Sequence, residues 1–152
     1  GDDYDRVLAD SGRADARRLG EYMAHNGLIP DRALYSGAAR TRETYDLVAA
    51  AFPRPIEAQE ENAIYEATRF LVLGLLRELP AAARAPLVVG HNPAMADVAN
   101  LLTGEGVAAE RLRLAAKFPT AALAVIAFDR PDWSDLSPRS GRLEKFLTPH
   151  DF

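Results

Sequence analysis

The chain has 152 residues, 48% hydrophobic and 26% charged, which suits one globular domain whose core buries roughly 70% of the unfolded surface. Its net charge of −4 offers no general footprint for nucleic acid, so an anionic substrate must be drawn by a local pocket. The absence of cysteine excludes disulfides and thiolate metal sites and fits a reducing compartment such as the cytoplasm. No apolar run approaches the roughly 20 residues of a membrane helix.

Residues 1–9 are polar and acidic and read as an exposed approach. Ser11 is expected to cap a helix running to about His25, with Ala16, Leu19 and Met23 facing inward and Asp15 and Arg18 facing water. Asn26-Gly27 stops it. A short strand, Ala33-Leu34-Tyr35, leads to Ser36, placed to cap a second helix over about 38–51 that carries Tyr45, Leu47, Val48 and Phe52. Pro53 and Pro55 end that helix, 56–59 suits a short strand, and a strongly apolar helix is expected from about Thr68 to Leu79. A strand over 86–90 and a helix over 93–103, ended by Gly104, come next. Residues 111–117 and 121–129 read as an antiparallel pair turning at Pro119-Thr120. The stretch 129–141 reads as a Pro/Ser/Asp-rich loop anchored by Trp133, and 143–147 as a last strand. Strands alternating with helices argue for one three-layer α/β/α domain over 1–152, built on a mostly parallel sheet. No strand precedes the first helix, although such domains usually begin with one.

Two strand–helix junctions carry the chemistry. Val89-Gly90-His91-Asn92-Pro93 puts His91 at the end of a strand, with Asn92 able to cap the next helix and Pro93 suited to its first turn. Ligands of α/β folds gather at such strand ends, and helix N-termini favour anions, so a histidine there suggests phosphate chemistry. The other reading is a structural histidine. Ser36-Gly37-Ala38-Ala39-Arg40-Thr41-Arg42-Glu43-Thr44 repeats the arrangement. Arg40, in the first turn, can fork onto two phosphate oxygens; alternatively it pairs with Glu43 on the helix surface. Arg42 reads as solvated and Thr44 as packing. Glu66, ahead of the third helix, reads either as a general acid or as a carboxylate favoured by the helix dipole. His25 suits the last turn of its helix, His150 the C-terminal tail, and Asp97 and Glu105 the surface. The three histidines are too dispersed to bind a metal together and no HExxH occurs, so neither metal nor cofactor is expected.

These motifs together resemble the histidine phosphatase superfamily, in its small SixA-like phosphohistidine phosphatase branch. Asp5-Arg6-Val7-Leu8 with Gly12-Arg13-Ala14-Asp15-Ala16 resembles its "DRPL…RGRxDA" segment, and Ser36 to Thr44 its "SPxxRTxxT". Val89 to Pro93 resembles "VGHNP", and Lys117-Phe118-Pro119-Thr120-Ala121 opens a segment similar to its late hairpin. The resemblance covers nearly all of the chain. It implies a phosphoglycerate-mutase-like fold and attack by a histidine on phosphorus, with water hydrolysing the phosphohistidine intermediate. It implies that Arg40 clamps the phosphoryl group, that His91 donates to a phosphoryl oxygen, and that Glu66 lies near the acid some relatives carry. Ser36 and Asn92 complete the expected substrate-binding set.

The departures are Val7 and Gly37 where the family often has proline, and Ser11 where it often has arginine. The family's nucleophilic histidine lies in an Arg-His pair ending the first strand, and no such pair occurs here. The nucleophile is therefore expected upstream of Gly1, within about 10–25 further residues, and residues 1–152 alone are expected to lack turnover. Protein phosphohistidine or a small phosphorylated metabolite is the expected partner, without nucleic acid or membrane. The alternative is a non-catalytic phosphate- or phosphoprotein-binding module that lacks the nucleophile. Mutase-type transfer between sugar phosphates is disfavoured, since no long insertion is available to enclose one.

Overall fold

A computed structural model describes residues 2–129 and 132–152 of the chain. They form a mixed α/β architecture in which three of the four strand pairings are parallel. The chain folds as two compact units, one of Gly1–Glu66, Ala83–His91 and Pro149–Phe152, the other of Ala67–Ala82 and Asn92–Thr148. Each holds one three-stranded sheet.

The first unit opens with a short helix α1 (Asp2–Asp5) inside the segment expected to be an open approach. Helix α2 (Asp10–His25) follows and buries Ala16, Leu19, Gly20 and Met23 along one stripe. Full burial of a leucine or methionine contributes about 1.5–3 kcal/mol. Ser11 does not cap α2. The N-cap is Ala9, which makes no side-chain bond, and the first turn is held from a distance, as the Glu43 carboxylate accepts from Leu8 N–H at 2.8 Å and from Arg13 Nε at 3.0 Å. The helix stops where expected. Gly27 is left-handed at φ +69°, and Leu28 N–H donates to the Met23 carbonyl at 2.8 Å, satisfying an orphan carbonyl of the last turn.

Strand β1 (Arg32–Tyr35) is central in this unit's sheet, flanked by β2 (Glu57–Glu60) and β3 (Pro86–Val89), both parallel to it. The exposed, charged β2 suits a sheet edge. Helix α3 (Ala39–Ala49) buries Thr41, Tyr45 and Val48 and packs on α2. Gly20 makes that approach possible, since a Cβ there would strike the Val48 carbonyl. Ser36 does not cap α3 either; the N-cap is Ala38, without a side-chain bond.

In the second unit, Thr68 caps α4 (Arg69–Arg77) by accepting from Leu71 N–H at 3.2 Å. The helix buries Val72, Leu73 and Leu76 and leaves Phe70 and Leu71 exposed, a narrower apolar face than its sequence suggests. Helix α5 (Ala94–Leu102) runs into β4 (Thr103–Gly106), so Gly104 lies inside a strand rather than ending the helix. A Cβ at Gly104 would strike the Arg139 carbonyl. The expected strand over 111–117 is instead helix α6 (Ala108–Ala116), whose alanines, leucines and Glu110–Arg113 ion pair at 3.1 Å all favour a helix. Strand β5 (Leu123–Ala127) pairs antiparallel with β6 (Gly141–Leu147), and β4 pairs parallel with β6. Ala99, Leu114, Leu143 and Phe146 form this unit's core, with Phe118, Ala122, Ala124 and Ile126 against it. Trp133 lies edge-on to Phe128, with centroids 6.0 Å apart. Among the described residues no helix is long and apolar enough to cross a membrane.

Candidate active site

Parallel pairing brings the two junctions together. Tyr35 is in register with Val89, and Ser36 N–H continues the ladder to the Val89 carbonyl at 3.1 Å. The residues leaving both strands therefore emerge side by side at the C-terminal edge of one sheet, where α/β folds place their ligands. The turn into α3 is tied by Thr41, whose Oγ1 donates to the carbonyls of Ser36 and Ala38 at 2.7 and 2.8 Å. That puts Arg40 in the first turn. Thr44 Oγ1 donates to the Arg40 carbonyl at 2.8 Å, and Arg42 turns aside to the Gly37 carbonyl at 3.0 Å.

Ser36, Arg40 and His91 converge. His91 Nε2 lies 2.8 Å from Ser36 Oγ, and its Nδ1 lies 3.3 Å from Arg40 Nη2. A guanidinium only donates, so Nδ1 presents its lone pair and the ring proton sits on Nε2, donating to Ser36. Ser36 is fully buried, and its Oγ also accepts from Ala38 N–H at 3.2 Å. Burial first, and then the Arg40 charge, hold His91 below the usual histidine pKa, with Asp3 opposing. The imidazole is thus neutral at rest.

Two further residues complete the group. Arg40 Nη1 donates to the Asp3 carbonyl oxygen at 2.8 Å and Nη2 to Asp3 Oδ2 at 3.3 Å. Tyr65 Oη donates to the same Oδ2 at 2.5 Å, and its ring stands edge-on to His91 with centroids 5.3 Å apart. The Tyr65 bond, ahead of the Arg40 charge, lowers the Asp3 pKa, and the same bond raises that of Tyr65. Tyr4 crosses the Tyr65 ring at 4.9 Å and donates to Asn62 Oδ1 at 3.0 Å. Gly37 leaves room for this, because a Cβ there would strike Tyr4 Oη and Asn62 Oδ1.

The surface-pair reading of Arg40 is not observed; Glu43 is engaged by Arg13 and Leu8 instead. Glu66 directly follows Tyr65 and is exposed. Asn92 does not join the group. Its carboxamide donates to the Phe118 carbonyl at 2.7 Å and accepts from Ala96 N–H at 3.2 Å, both within the second unit. His25 Nδ1 meets the Glu21 carbonyl at 2.8 Å, and His150 is exposed. Asp3 and Tyr65 were not singled out by the sequence; only the acidic run at 2–5 and a tyrosine beside Glu66 could have drawn attention to them. Among the described residues no three His, Asp or Glu side chains are grouped to hold a metal. The arrangement offers a guanidinium edge beside an imidazole nitrogen that can donate once it is protonated, which suits a tetrahedral oxyanion.

No family model matches the chain. It is 30% identical over 148 residues to the uncharacterized protein ML1117 of Mycobacterium leprae, across 97% of this chain and 89% of that protein. Among solved structures it is similar to a SixA protein of Agrobacterium tumefaciens named as a phosphohistidine phosphatase, at 30% identity and a TM-score of 0.81, over 97% of this chain and 86% of that one. A SixA protein of Nakamurella multipartitia superimposes with a TM-score of 0.84 at 24% identity, covering 97% and 87% of the two chains. A protein histidine phosphatase SixA solved with tungstate gives 0.77 at 20%, again over 97% and 87%. The last two establish the shared phosphoglycerate-mutase-like α/β fold.

Proposed function

Because the chain belongs to the histidine phosphatase superfamily, in its SixA-like branch, we propose that it is a metal-independent phosphatase working through a phosphohistidine intermediate. Its substrate is a protein phosphohistidine or a small phosphomonoester, met in the cytoplasm, and residues 1–152 act as one histidine-phosphatase-like domain. The observation that carries this reading is the meeting of Arg40 with His91, itself bonded to Ser36, at the ends of two parallel strands.

In this reaction a histidine nitrogen forms a bond to phosphorus as the bond from phosphorus to the leaving group breaks. Water then cleaves the new P–N bond, releasing phosphate. Residues 1–152 contain no Arg-His pair, so the nucleophile is not assigned to any of them. Arg40 forks onto the phosphoryl oxygens and stabilises the charge spread over them. His91 donates from Nδ1 to another oxygen, which requires that nitrogen to gain a proton. Ser36 serves both states of the ring, accepting from Nε2–H at rest and donating its own hydroxyl when the proton moves to Nδ1. Glu66 is assigned to protonating the leaving group. A phosphohistidine substrate asks less of that acid than an alkyl ester does, because imidazole leaves more readily.

The test is turnover by the full-length protein on a phosphohistidine peptide and an aryl phosphate, with and without EDTA. His91→Ala and Arg40→Ala should each lower the rate by about 10²–10³-fold, and EDTA should change nothing. Unchanged rates in both variants would overturn the assignment. Phosphate binding that depends on Arg40, without any turnover, would favour the binding-module reading.

A further inference from the structure

We infer that Asp3 and Tyr65 are positioning residues that aim the Arg40 guanidinium, and that α1 and the segment carrying Tyr65 are thereby parts of the phosphoryl site. The inference rests on the reading of Arg40 and His91 as phosphate ligands. Arg40 has two edges to offer. Its outer edge, Nη1 and Nη2, is held by the Asp3 carbonyl and carboxylate. The other edge is formed by Nε–H and the second Nη2–H. Nη2 there points at His91 Nδ1, and Nε has no partner among the described residues. An oxyanion arriving beside His91 would meet this edge with its donors already oriented, so less rotamer freedom is lost on binding.

A carboxylate next to a phosphate ligand could equally compete with the substrate. Two contacts argue otherwise. Asp3 Oδ1 is paired with Arg6 at 3.2 Å, so its charge is shared between two guanidinium groups. Oδ2 also takes the Tyr65 hydroxyl, which fixes the carboxylate while the Tyr65 ring packs perpendicular to His91. One tyrosine thus braces both ligands.

The test measures tungstate and orthophosphate binding by wild type, Arg40→Ala, Asp3→Ala, Asp3→Asn and Tyr65→Phe. Folding is checked by circular dichroism, and the Arg40 guanidinium protons are followed by NMR. Asp3→Ala should weaken binding about tenfold, the loss expected for one charge-assisted hydrogen bond, and Tyr65→Phe by a smaller factor. Asp3→Asn, which keeps an acceptor for Nη2, should stay near wild type. The Arg40 Nη protons should be resolved in wild type and averaged by rotation in Asp3→Ala. Binding by Asp3→Ala as tight as wild type or tighter, with Arg40→Ala still defective, would overturn the inference and leave the phosphatase reading standing. If Arg40→Ala binds like wild type, the phosphatase reading fails. The NMR comparison then decides the positioning by itself, and identical Arg40 spectra in wild type and Asp3→Ala overturn it.

Discussion

His91 is a neutral imidazole held between a donor and an acceptor, and that has a consequence for stability. Burial and Arg40 place its folded pKa below the ordinary histidine value of 6.5, so the unfolded chain binds the proton more readily. Stability associated with the neutral ring is complete above about pH 6.5 and is lost as pH falls through the lower, folded value. Gln cannot take up that proton, so the thermal midpoint of His91→Gln should gain on wild type as pH falls from 7 to 5. A constant difference between the two would show that the ring is not held neutral. Ser36→Ala is informative for the same reason. Without a hydroxyl to donate to Nε2, the Nδ1–H form is available only as imidazolium. Phosphate binding by Ser36→Ala should therefore strengthen towards acid more steeply than in wild type. Parallel pH profiles would remove Ser36 from the proton switch. That Ser36, Arg40 and His91 stand at strand–helix junctions was legible, because each junction is only a few residues long. That Arg40 pairs with Asp3, and Glu43 with Arg13, was not; a charge chooses its partner in space, across 37 and 30 positions of sequence.

At the scale of elements, the site depends on how tightly α3 is held. Gly20 shows which effect governs. Replacing a mid-helix glycine with alanine would ordinarily gain about 1 kcal/mol of helix propensity, but a Cβ there meets the Val48 backbone. Overpacking of this kind costs about 1–3 kcal/mol, so Gly20→Ala should lower the denaturant midpoint; a raised midpoint would mean that the two helices part without cost. The start of α2 is equally a tertiary product. Glu43 is held below the usual carboxylate range by Leu8 N–H and then Arg13, so its contribution is present above its unfolded value and lost as pH falls through the lower folded one. Amide exchange at Leu8 should therefore rise in acid, and should be fast at every pH in Glu43→Ala. Equal protection at Leu8 in wild type and variant would rule out this anchor. Helix α6 shows the limit of local pattern. Its apolar residues suggested a strand, while its alanines and ion pair at i, i+3 favoured the helix that forms.

For the molecule as a whole, a net charge of −4 means that a phosphorylated substrate of the proposed phosphatase would have to be drawn by the Arg40 guanidinium locally and not by the overall field. The sequence by itself determined the α/β class, the strand–helix junctions and the arginine and histidine at them. These features are written in short spans, where strand pattern, turn residues and helix starts lie within a few residues of one another. The tertiary structure alone decided that both junctions open on one sheet edge, because that follows from the parallel register of β1 with β3. It also decided the bracing of Arg40 by Asp3 and Tyr65 and the anchoring of α2 by Glu43. Such contacts join residues far apart in the chain, and only the folded backbone brings the partners within reach of one another.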